Sequence, residues 1–468
     1  MKRVKIVATI GPSSWAPEVM AKMIKAGMNV ARINGAFADV PELKRVAEVV
    51  RSQSQEVALL LDIKGHEIRL NKFSENLHVS PGDEVIIGSS EADAIYPVTY
   101  PELWQDIAAG QILLVDKGAT TLEVTKVADG KIYCKVINGN IIASGKGMNT
   151  PGAKLKNPTI TKRDIEQMEF AIADGWDFIA ASFVRNADDI RAVKAVTKDS
   201  PIKIIAKIED QQGVDNIEDI IEVADAIMVA RGDMGSEMPY EKLPILQKEM
   251  IFKCNQAAKP VITATNMLES MTENIMPTRA EITDVANAVL DGSDALMTSA
   301  ETTSGKYPVE TLEAMSRIAN ETEKYIHPEI IEDFDECQYP VHIAMANAAF
   351  EFILALPDVT KIIVYSHTGV TPKLLARHNL PLPIIALVKN DTLKRQLALT
   401  KNVAAYTFEK DFSDRDKAVT EMINFTIEVG AINKDDKVLV IGNCKYSAAK
   451  ESSHPNIFEY IVVENLLD

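Results

Sequence analysis

The sequence is poor in several features that define special classes of protein. It has four cysteines in 468 residues, Cys134, Cys254, Cys337 and Cys444, and no CxxC pair. A disulfide scaffold and a cysteine zinc site are therefore both disfavoured, and we expect reduced, structural thiols. No apolar run reaches the roughly 18 residues that a membrane-spanning helix needs. Glycine and proline, at 22 and 21 residues, are not in excess, which argues against a disordered or fibrous chain.

The chain also lacks an excess of positive charge. Its formal net charge is −17, whereas nucleic acid and anionic membranes attract proteins through fields of Lys and Arg. We therefore expect neither as a main partner, although a small anionic substrate is compatible with cations gathered locally. The chain begins with a basic and then apolar stretch that ends at Gly11-Pro12, which is too short for a signal peptide. A cytoplasmic protein is the expectation.

What the sequence does contain is an alternation of short Val/Ile/Ala runs with longer amphipathic stretches. This pattern is typical of parallel strands joined by helices, and eight such strands indicate a (β/α)₈ TIM barrel. The eight runs are Val4–Ile10, Met28–Ile33, Val57–Leu61, Phe178–Ala181, Ile202–Ala206, Ala226–Ala230, Pro260–Ala264 and Ala295–Met297. Helices are predicted between them, for example at Ala16–Ala26, Val40–Ser52, Lys162–Ala173, Tyr240–Gln256, Arg279–Leu290 and Val309–Ile326.

The pattern changes between the third and fourth runs. Apolar residues alternate there, and hairpin signals occur at Pro81-Gly82-Asp83, Asp129-Gly130 and Asn138-Gly139. These features predict a small inserted β-barrel that forms a lid.

A second α/β rhythm follows the acidic stretch Glu329–Glu336, which we interpret as a linker. It predicts a doubly wound α/β domain. The domains expected from the sequence are a catalytic barrel at residues 1–70 and 152–328, a lid at 71–151, and a C-terminal, regulatory α/β domain at 338–468.

Polar side chains follow nearly every apolar run of the predicted barrel. Active sites of such barrels lie at the C-terminal ends of the strands, and alternate residues share a face, so Lys207 and Glu209 point into one mouth. Glu209 and Asp233 suit Mg²⁺, while Lys207 and Arg32 supply positive charge for a phosphoryl group. The residues by themselves thus predict a metal and a phosphorylated, anionic substrate. The full set of polar ends is Arg32, Asn34, Asp62, Lys64, Ser182, Lys207, Glu209, Arg231, Asp233, Thr263, Thr265 and Ser299.

Several segments resemble those of pyruvate kinase, from Val4 to about Tyr307 and more weakly beyond. The resemblance implies phosphoryl transfer from phosphoenolpyruvate to ADP, giving pyruvate and ATP in the last step of glycolysis, and a homotetramer. The segments that carry it are Lys5–Pro12, Ala26–Asn34, Leu61–Arg69, Lys146–Gly152, Ala181–Arg185, Lys207-Ile208-Glu209, Ile227–Asp233, Thr263–Met271, Pro277–Glu281 and Ser299–Thr302.

The resemblance also implies roles for individual residues. Lys207 and Arg32 would stabilise the transferring phosphoryl group, and Glu209 and Asp233 would bind Mg²⁺. The backbone of Gly232-Asp233 would receive the substrate carboxylate. The remaining implied contacts are Thr265 near the enolate carbon, Ser299 at the substrate, Arg69, Lys146, Asp116 and Asn34 at ADP or ATP, and Asn34, Asp62 and the Ile63 carbonyl at K⁺.

Some positions depart from the family pattern, mostly in the nucleotide and potassium half of the site. Ala36 and Phe37 stand where the family has a serine and a histidine, so the K⁺ site is expected to be weakened but not lost. The other departures are His66 for proline, Lys117 for aspartate, Ala206 for serine, Asn266 for glutamine and Ala300 for glycine.

Two other functions are weighed against this one. The first is another barrel enzyme of phosphoenolpyruvate or pyruvate, a Mg²⁺-dependent aldolase or synthase. The second is a catalytically silent metabolite sensor. The turn Ser366–Thr371 in the last domain is either a plain helix cap or a site for a sugar-phosphate effector.

Overall fold

The computed structural model describes residues 2–73, 75–88, 96–331, 339–410, 414–443 and 455–467. Cys337, Cys444 and most of the predicted linker lie outside these residues. Cys134 and Cys254 are buried free thiols. In the described part of the chain, none of the helices combines the length and the apolarity that a membrane crossing requires.

The eight predicted barrel strands all form, and they close into one parallel barrel in chain order. The last strand pairs with the first, with Lys5 opposite Ala295. The strands are Lys5–Thr9, Val30–Asn34, Ala58–Ile63, Phe178–Ala181, Lys203–Ile208, Ala226–Ala230, Val261–Ala264 and Ala295–Thr298.

Helices cover the outside of the barrel, so the strands are buried on both faces. Ala58 and Leu60 belong to the cluster that fills the barrel, whereas Leu59 and Leu61 pack against the helices. This two-sided burial is why the strands are continuous apolar runs in the sequence. The α-helices of this part are Pro17–Lys25, Val40–Gln53, Lys162–Ala173, Ala187–Thr197, Gln211–Asp215, Ile217–Val223, Arg231–Glu237, Leu243–Gln256, Arg279–Leu290, Ala300–Thr303 and Pro308–Thr322, and short 3₁₀ turns span Tyr240–Lys242, Glu269–Thr272 and Glu323–Tyr325.

The insert between the third and fourth barrel strands is a β unit with its own apolar core. Among the predicted hairpin signals, Asp129-Gly130 joins two strands that pair directly with each other. Asn138-Gly139 instead leads into the strand Ile141–Ile142, which pairs with Leu77–His78. Its strands are Leu77–His78, Glu84–Gly88, Tyr96–Pro97, Ile112–Val115, Thr120–Ala128, Lys131–Asn138, Ile141–Ile142 and Met148–Asn149, with one short helix at Leu103–Asp106. Six of these strands form one largely antiparallel sheet.

The C-terminal part is a five-stranded sheet with an apolar cluster on each face, as a doubly wound domain requires. In sheet order its strands are Val403–Thr407, Ile384–Val388, Lys361–Ser366, Lys437–Gly442 and Ile457–Val462, the last one antiparallel to its neighbour. Its helices are Pro340–Ala355, Val370–Ala376, Asp391–Gln396, Arg415–Glu428 and Val463–Leu467, with a 3₁₀ turn at Leu397–Leu399.

Buried polar contacts join the C-terminal part to the base of the barrel. Asp177 accepts from Arg395 Nε at 2.8 Å and pairs with Arg51 at 3.2 Å. Lys5 Nζ donates to the Val403 carbonyl at 2.6 Å. Because these contacts lie at the N-terminal ends of the strands, the opposite mouth of the barrel remains open for chemistry.

Candidate active site

The polar residues of the mouth continue the interior face of the barrel strands. Val30 and Ile205 fill the barrel, and the residues two positions further along the same strands are Arg32 and Lys207. Alternate strand residues share a face, so these side chains emerge into the mouth just above the apolar layer. The same register brings Thr9, Asp62 and Ser182 to the mouth above Val7, Leu60 and Ala180.

A buried chain of alternating charges crosses this mouth. Arg32 donates through Nε to Asp62 Oδ2 at 2.7 Å, and Asp62 Oδ1 lies 3.1 Å from Lys207 Nζ. Lys207 Nζ lies in turn 3.0 Å from Glu209 Oε1. Glu209 Oε2 accepts from the Phe183 N–H at 2.5 Å, and Phe183 has an unusual positive φ of 54°. The structure thus brings together four of the predicted residues from three different strands.

The electrostatics of this chain are governed by burial. Burial acts to raise the pKa of Asp62, but the cations of Arg32 and Lys207 outweigh it and hold that pKa below its usual value. Burial alone would lower the pKa of Lys207, yet Asp62 and Glu209 raise it, so the ammonium is charged. Burial also raises the pKa of Glu209, and nearby Asp233 adds to that rise. A cation at Glu209 and Asp233 would relieve this unfavourable concentration of negative charge.

The helix Arg231–Glu237 begins at the mouth and presents Gly232 and Asp233. The Gly232 N–H donates to Thr265 Oγ1 at 2.7 Å. A side chain at Gly232 would lie 3.2 Å from that oxygen, so the close approach favours glycine. Thr265 and Asn266 have φ values of 67° and 54°, a conformation that is strained for a β-branched residue and typical of functional sites.

Two polar strand ends do not take part in the mouth. Arg231, one of the polar strand ends predicted at the mouth, turns away to Asp284 at 2.7 Å and donates to the Thr265 carbonyl at 2.7 Å. Arg231 therefore contacts the strained turn at Thr265 from the side that faces away from the mouth. Thr263 faces the helices instead of the mouth, and its hydroxyl pairs with Ser293 Oγ at 2.7 Å. The reason is parity, since Thr263 lies one position away from the interior residues Ile262 and Ala264.

Ser299 follows the last barrel strand at the level of the mouth. Its N–H donates to Glu301 Oε2 at 2.6 Å, and its carbonyl accepts from Thr303 Oγ1 at 2.6 Å. These contacts fix the turn that carries Ser299. In the described residues, no hydrogen bond or ion pair of its side chain joins it to the buried charge chain.

A cavity of about 340 Å³ opens between the insert and the barrel mouth. Arg69, Asp116 and Lys146 line it from the insert side, and Asp233 lines it from the barrel. Lys146 pairs with Asp116 at 3.0 Å, and both side chains are 44% exposed. Arg69 donates to Glu67 at 2.7 Å and to the Gly145 carbonyl at 3.0 Å. Three of the four predicted nucleotide residues, Arg69, Asp116 and Lys146, therefore share one cavity, and they are far more exposed than the buried charge chain. The fourth, Asn34, is not among the residues that line this cavity.

The predicted potassium ligands lie side by side, with Asn34 opposite Asp62 on neighbouring strands. Each has a hydrogen-bonding partner within the protein. Asn34 Oδ1 accepts from the Ala36 N–H at 3.0 Å, and the Ile63 carbonyl accepts from Ser182 Oγ at 2.8 Å. Asp62 is shared by Arg32 and Lys207, as described above.

Three contributors to the site were absent from the residues assigned roles. Ser182 accepts from Lys207 Nζ at 2.6 Å, and Thr9 accepts from Arg32 at 2.7 Å. Both continue interior positions of barrel strands, so parity could have identified them. Glu237 lines the cavity and touches the insert through Asn149 at 2.7 Å. No local signal in the sequence indicates that contact.

The turn at Ser366 in the C-terminal part leads into a helix whose first residue is Val370. Ser366 Oγ accepts from the Gly369 N–H at 3.0 Å, and Gly369 has a φ of 76° that favours glycine. The following helix, Val370–Ala376, is only two turns long. This geometry fits a turn that leads into a helix, which is one of the two roles that the sequence allows.

Comparisons with known proteins point to one family. The family model described as pyruvate kinase, barrel domain, matches residues 1–312, and the one described as pyruvate kinase, alpha/beta domain, matches residues 343–454. A pyruvate kinase of Bacillus licheniformis is 37% identical over all of this chain and 81% of its own length. One from Thermococcus litoralis is 38% identical over 94% of each chain. The crystal structure of a pyruvate kinase from Cryptosporidium parvum superposes with a TM-score of 0.90 at 32% identity, covering 98% of this chain and 96% of that one.

Proposed function

The chain belongs to the pyruvate kinase family, and from that premise we propose how its residues perform the reaction. The enzyme transfers the phosphoryl group of phosphoenolpyruvate to ADP, giving pyruvate and ATP. The alternatives of an aldolase, a synthase or a silent sensor are set aside by this assignment. The observation that carries our proposal is the buried chain from Arg32 to Glu209 beside an open cavity that Arg69 and Lys146 line.

Phosphoenolpyruvate binds in the mouth, with its phosphate between Arg32 and Lys207. These cations are held in advance by Asp62, so they need no rearrangement when the phosphoryl group becomes metaphosphate-like. The backbone N–H groups of Gly232 and Asp233, at the start of helix Arg231–Glu237, receive the carboxylate, for which the Gly232 N–H would exchange its bond to Thr265 Oγ1. Thr265 lies beside that helix start, where its hydroxyl can help to carry a proton to the enolate carbon. Ser299 lies at the rim and completes the substrate contacts.

The residues fit a divalent cation. Glu209 and Asp233 offer carboxylate oxygens, and burial together with their mutual repulsion raises the pKa of Glu209, which a cation would reverse. Two protein carboxylates suit Mg²⁺, which keeps positions for substrate and water. Mg²⁺ held there would supply charge neutralisation for the substrate carboxylate and phosphate. Asn34, Asp62 and the Ile63 carbonyl would hold K⁺ in a site weakened by Ala36.

The nucleotide occupies the cavity between the insert and the barrel, with Arg69 and Lys146 at its phosphates and Asp116 nearby. Asn34, at the end of its barrel strand, would contact the nucleotide from outside this cavity. Coupling pyruvate formation to lactate dehydrogenase tests this proposal, with phosphoenolpyruvate, Mg²⁺ and each nucleoside diphosphate in turn. We expect activity with ADP. Replacing Lys146 with Met should raise the KM for the diphosphate and leave that for phosphoenolpyruvate unchanged, and equal effects on both would contradict the assignment.

We also propose a cytoplasmic homotetramer. Large apolar side chains are exposed on the 3₁₀ turn Tyr240–Lys242 and on the helices Leu243–Gln256 and Arg279–Leu290, among them Tyr240 at 79% and Phe252 at 55%. Such exposure is expected of surfaces that another subunit covers. Sedimentation velocity should give four times the mass of 51.4 kDa. A monomer would exclude this assembly.

The turn at Ser366–Thr371 is our candidate for a sugar-phosphate effector site. Its hydroxyls and helix start offer donors to a phosphate, although Val370 supplies no charge there. Weak activation by one member of a sugar-phosphate panel is the expected result. If no sugar phosphate activates the enzyme and none shifts its thermal unfolding, the turn has only a structural role at the helix start.

A further inference from the structure

The carboxylate that ends the helix Arg231–Glu237 touches the insert. Glu237 Oε1 accepts from Asn149 Nδ2 at 2.7 Å, and the backbone N–H of Thr150 donates to the same carboxylate. Asn149 ends the last strand of the insert, and Thr150 begins the return to the barrel. Glu237 thus joins the two parts of the chain that enclose the cavity.

On the insert side, this contact leads directly to the proposed nucleotide residues. Asn149 pairs with Leu114 in the neighbouring strand, which continues into Asp116. The Asp116 N–H donates to the Gly147 carbonyl at 3.0 Å, and the Asp116 carboxylate holds Lys146 at 3.0 Å. A shift of Asn149 would therefore move the Lys146 and Asp116 pair with it.

On the barrel side, the same contact leads to the proposed metal and substrate groups. Glu237 follows Asp233 by four residues in one helix, so their side chains lie on the same face. Both line the cavity. The single helix Arg231–Glu237 therefore carries the Gly232-Asp233 group at one end and the contact to the insert at the other.

The electrostatic environment makes Glu237 depend on its insert donors. Its pKa is raised to about 7, chiefly by burial and also by the nearby carboxylates Asp210 and Asp233, while the donors Asn149 and Thr150 act to lower it. Without the two donors this carboxylate would remain half-buried among like charges. The position in which the insert contacts Glu237 is therefore favoured over one in which the insert lies further from the barrel.

We propose that Glu237 is a positioning residue that latches the insert over the cavity and thereby sets Lys146 and Asp116 for the nucleotide. The proposal rests on the nucleotide roles given above. It predicts a kinetic split. Loss of the latch should weaken the nucleotide step, whereas the phosphoenolpyruvate site holds its own cations through Asp62. A merely structural role would lower stability or affect both substrates alike.

The first test compares Glu237→Ala with Glu241→Ala, which removes an exposed carboxylate one turn further along. The KM for ADP should rise about tenfold in Glu237→Ala, as expected for one charge-assisted hydrogen bond, with the KM for phosphoenolpyruvate within twofold. Glu241→Ala should match the wild type. Glu237→Gln keeps an acceptor and should stay within threefold of it.

The second test exchanges the polarity of the contact. Asn149→Asp places a second carboxylate beside that of Glu237, and the repulsion should raise the KM for ADP at least as much as Glu237→Ala does. In the double variant Asn149→Asp with Glu237→Gln, the new amide can donate to the new carboxylate, and the KM should return to within threefold of the wild type. A double variant as impaired as Asn149→Asp would overturn the latch.

Hydrogen–deuterium exchange supplies a readout that does not depend on catalysis. Amides of residues 148–152 should exchange faster in Glu237→Ala than in the wild type or Glu241→Ala, and unchanged exchange would also overturn the proposal. If Lys146→Met leaves the KM for ADP unchanged, the nucleotide roles fail, and accelerated exchange in Glu237→Ala would then show that the latch exists without them.

Discussion

Replacing Lys207 by methionine tests the central element of the proposed mechanism. The ammonium lies 3.1 Å from Asp62, 3.0 Å from Glu209 and 2.6 Å from Ser182. Methionine fills similar space without charge. The five charged groups of the mouth, Arg32, Lys207, Asp62, Glu209 and Asp233, sum to −1 with lysine and to −2 without it. The phosphoryl group would then react in a more negative site.

The magnitude follows from Coulomb's law in a partly shielded site. One unit charge about 4 Å from the reacting oxygens contributes roughly 4 kcal/mol at an effective dielectric constant of about 20. Removing a single preorganised group elsewhere costs roughly 3–4 kcal/mol of transition-state stabilisation. We therefore expect kcat to fall by more than about a hundredfold, with little change in phosphoenolpyruvate binding because Arg32 remains paired to Asp62.

The assay is lactate dehydrogenase coupling at saturating Mg²⁺ and ADP, with phosphoenolpyruvate affinity measured separately by calorimetry. Loss of the ammonium leaves Asp62 and Glu209 with fewer partners, so the unfolding midpoint must be recorded for the same preparation. Mg²⁺ affinity should not fall, because the site becomes more negative. A variant that folds and keeps more than about a tenth of wild-type kcat would refute the electrostatic role of Lys207.

Three further predictions concern the ions and the stability of the fold. Glu209→Gln and Asp233→Asn should each raise the Mg²⁺ concentration needed for half-maximal rate, and a titration that does not move would remove them from the metal site. Potassium should activate with an affinity about tenfold below that of a complete site. Ala36→Ser should lower the half-saturating concentration, and full activity with tetramethylammonium as the only monovalent cation would contradict the site. Asp177→Ala should destabilise the protein by roughly 3–5 kcal/mol, because two partly buried arginines and the buried Leu59 N–H lose the carboxylate that they share. The exposed pair at Asp188 makes Asp188→Ala a control expected to cost under about 1 kcal/mol. Equal unfolding midpoints for these two variants would argue against the buried contact as a stabilising element.

Much of the architecture is determined by local pattern. The fourth and sixth barrel strands, Phe178–Ala181 and Ala226–Ala230, coincide with their predicted runs because a strand buried on both faces is continuously apolar and is flanked by polar residues. The helix Arg279–Leu290 also matches, since Thr278 caps it together with Glu281. The pairing of Lys207 with Glu209 followed from their spacing of two residues along one strand.

The composition of the site was decided by closure of the barrel. Asp62 and Lys207 are 145 positions apart, and they meet because parallel strands bring their C-terminal ends to one rim. The parity of each strand then decided which polar ends face the mouth, so Ser182 joined it and Thr263 did not. Arg231 left the mouth because its charge finds Asp284 behind the strained turn.

The contact between Glu237 and Asn149 lies furthest from what sequence can indicate. The two residues are 88 positions apart, on different structural units, and neither spacing nor composition relates them. Periodicity reports which face of an element is buried, because burial acts on each element separately. It carries no information about where an inserted unit rests on its neighbour. That position depends on complementary side chains, and only the tertiary structure brings them together.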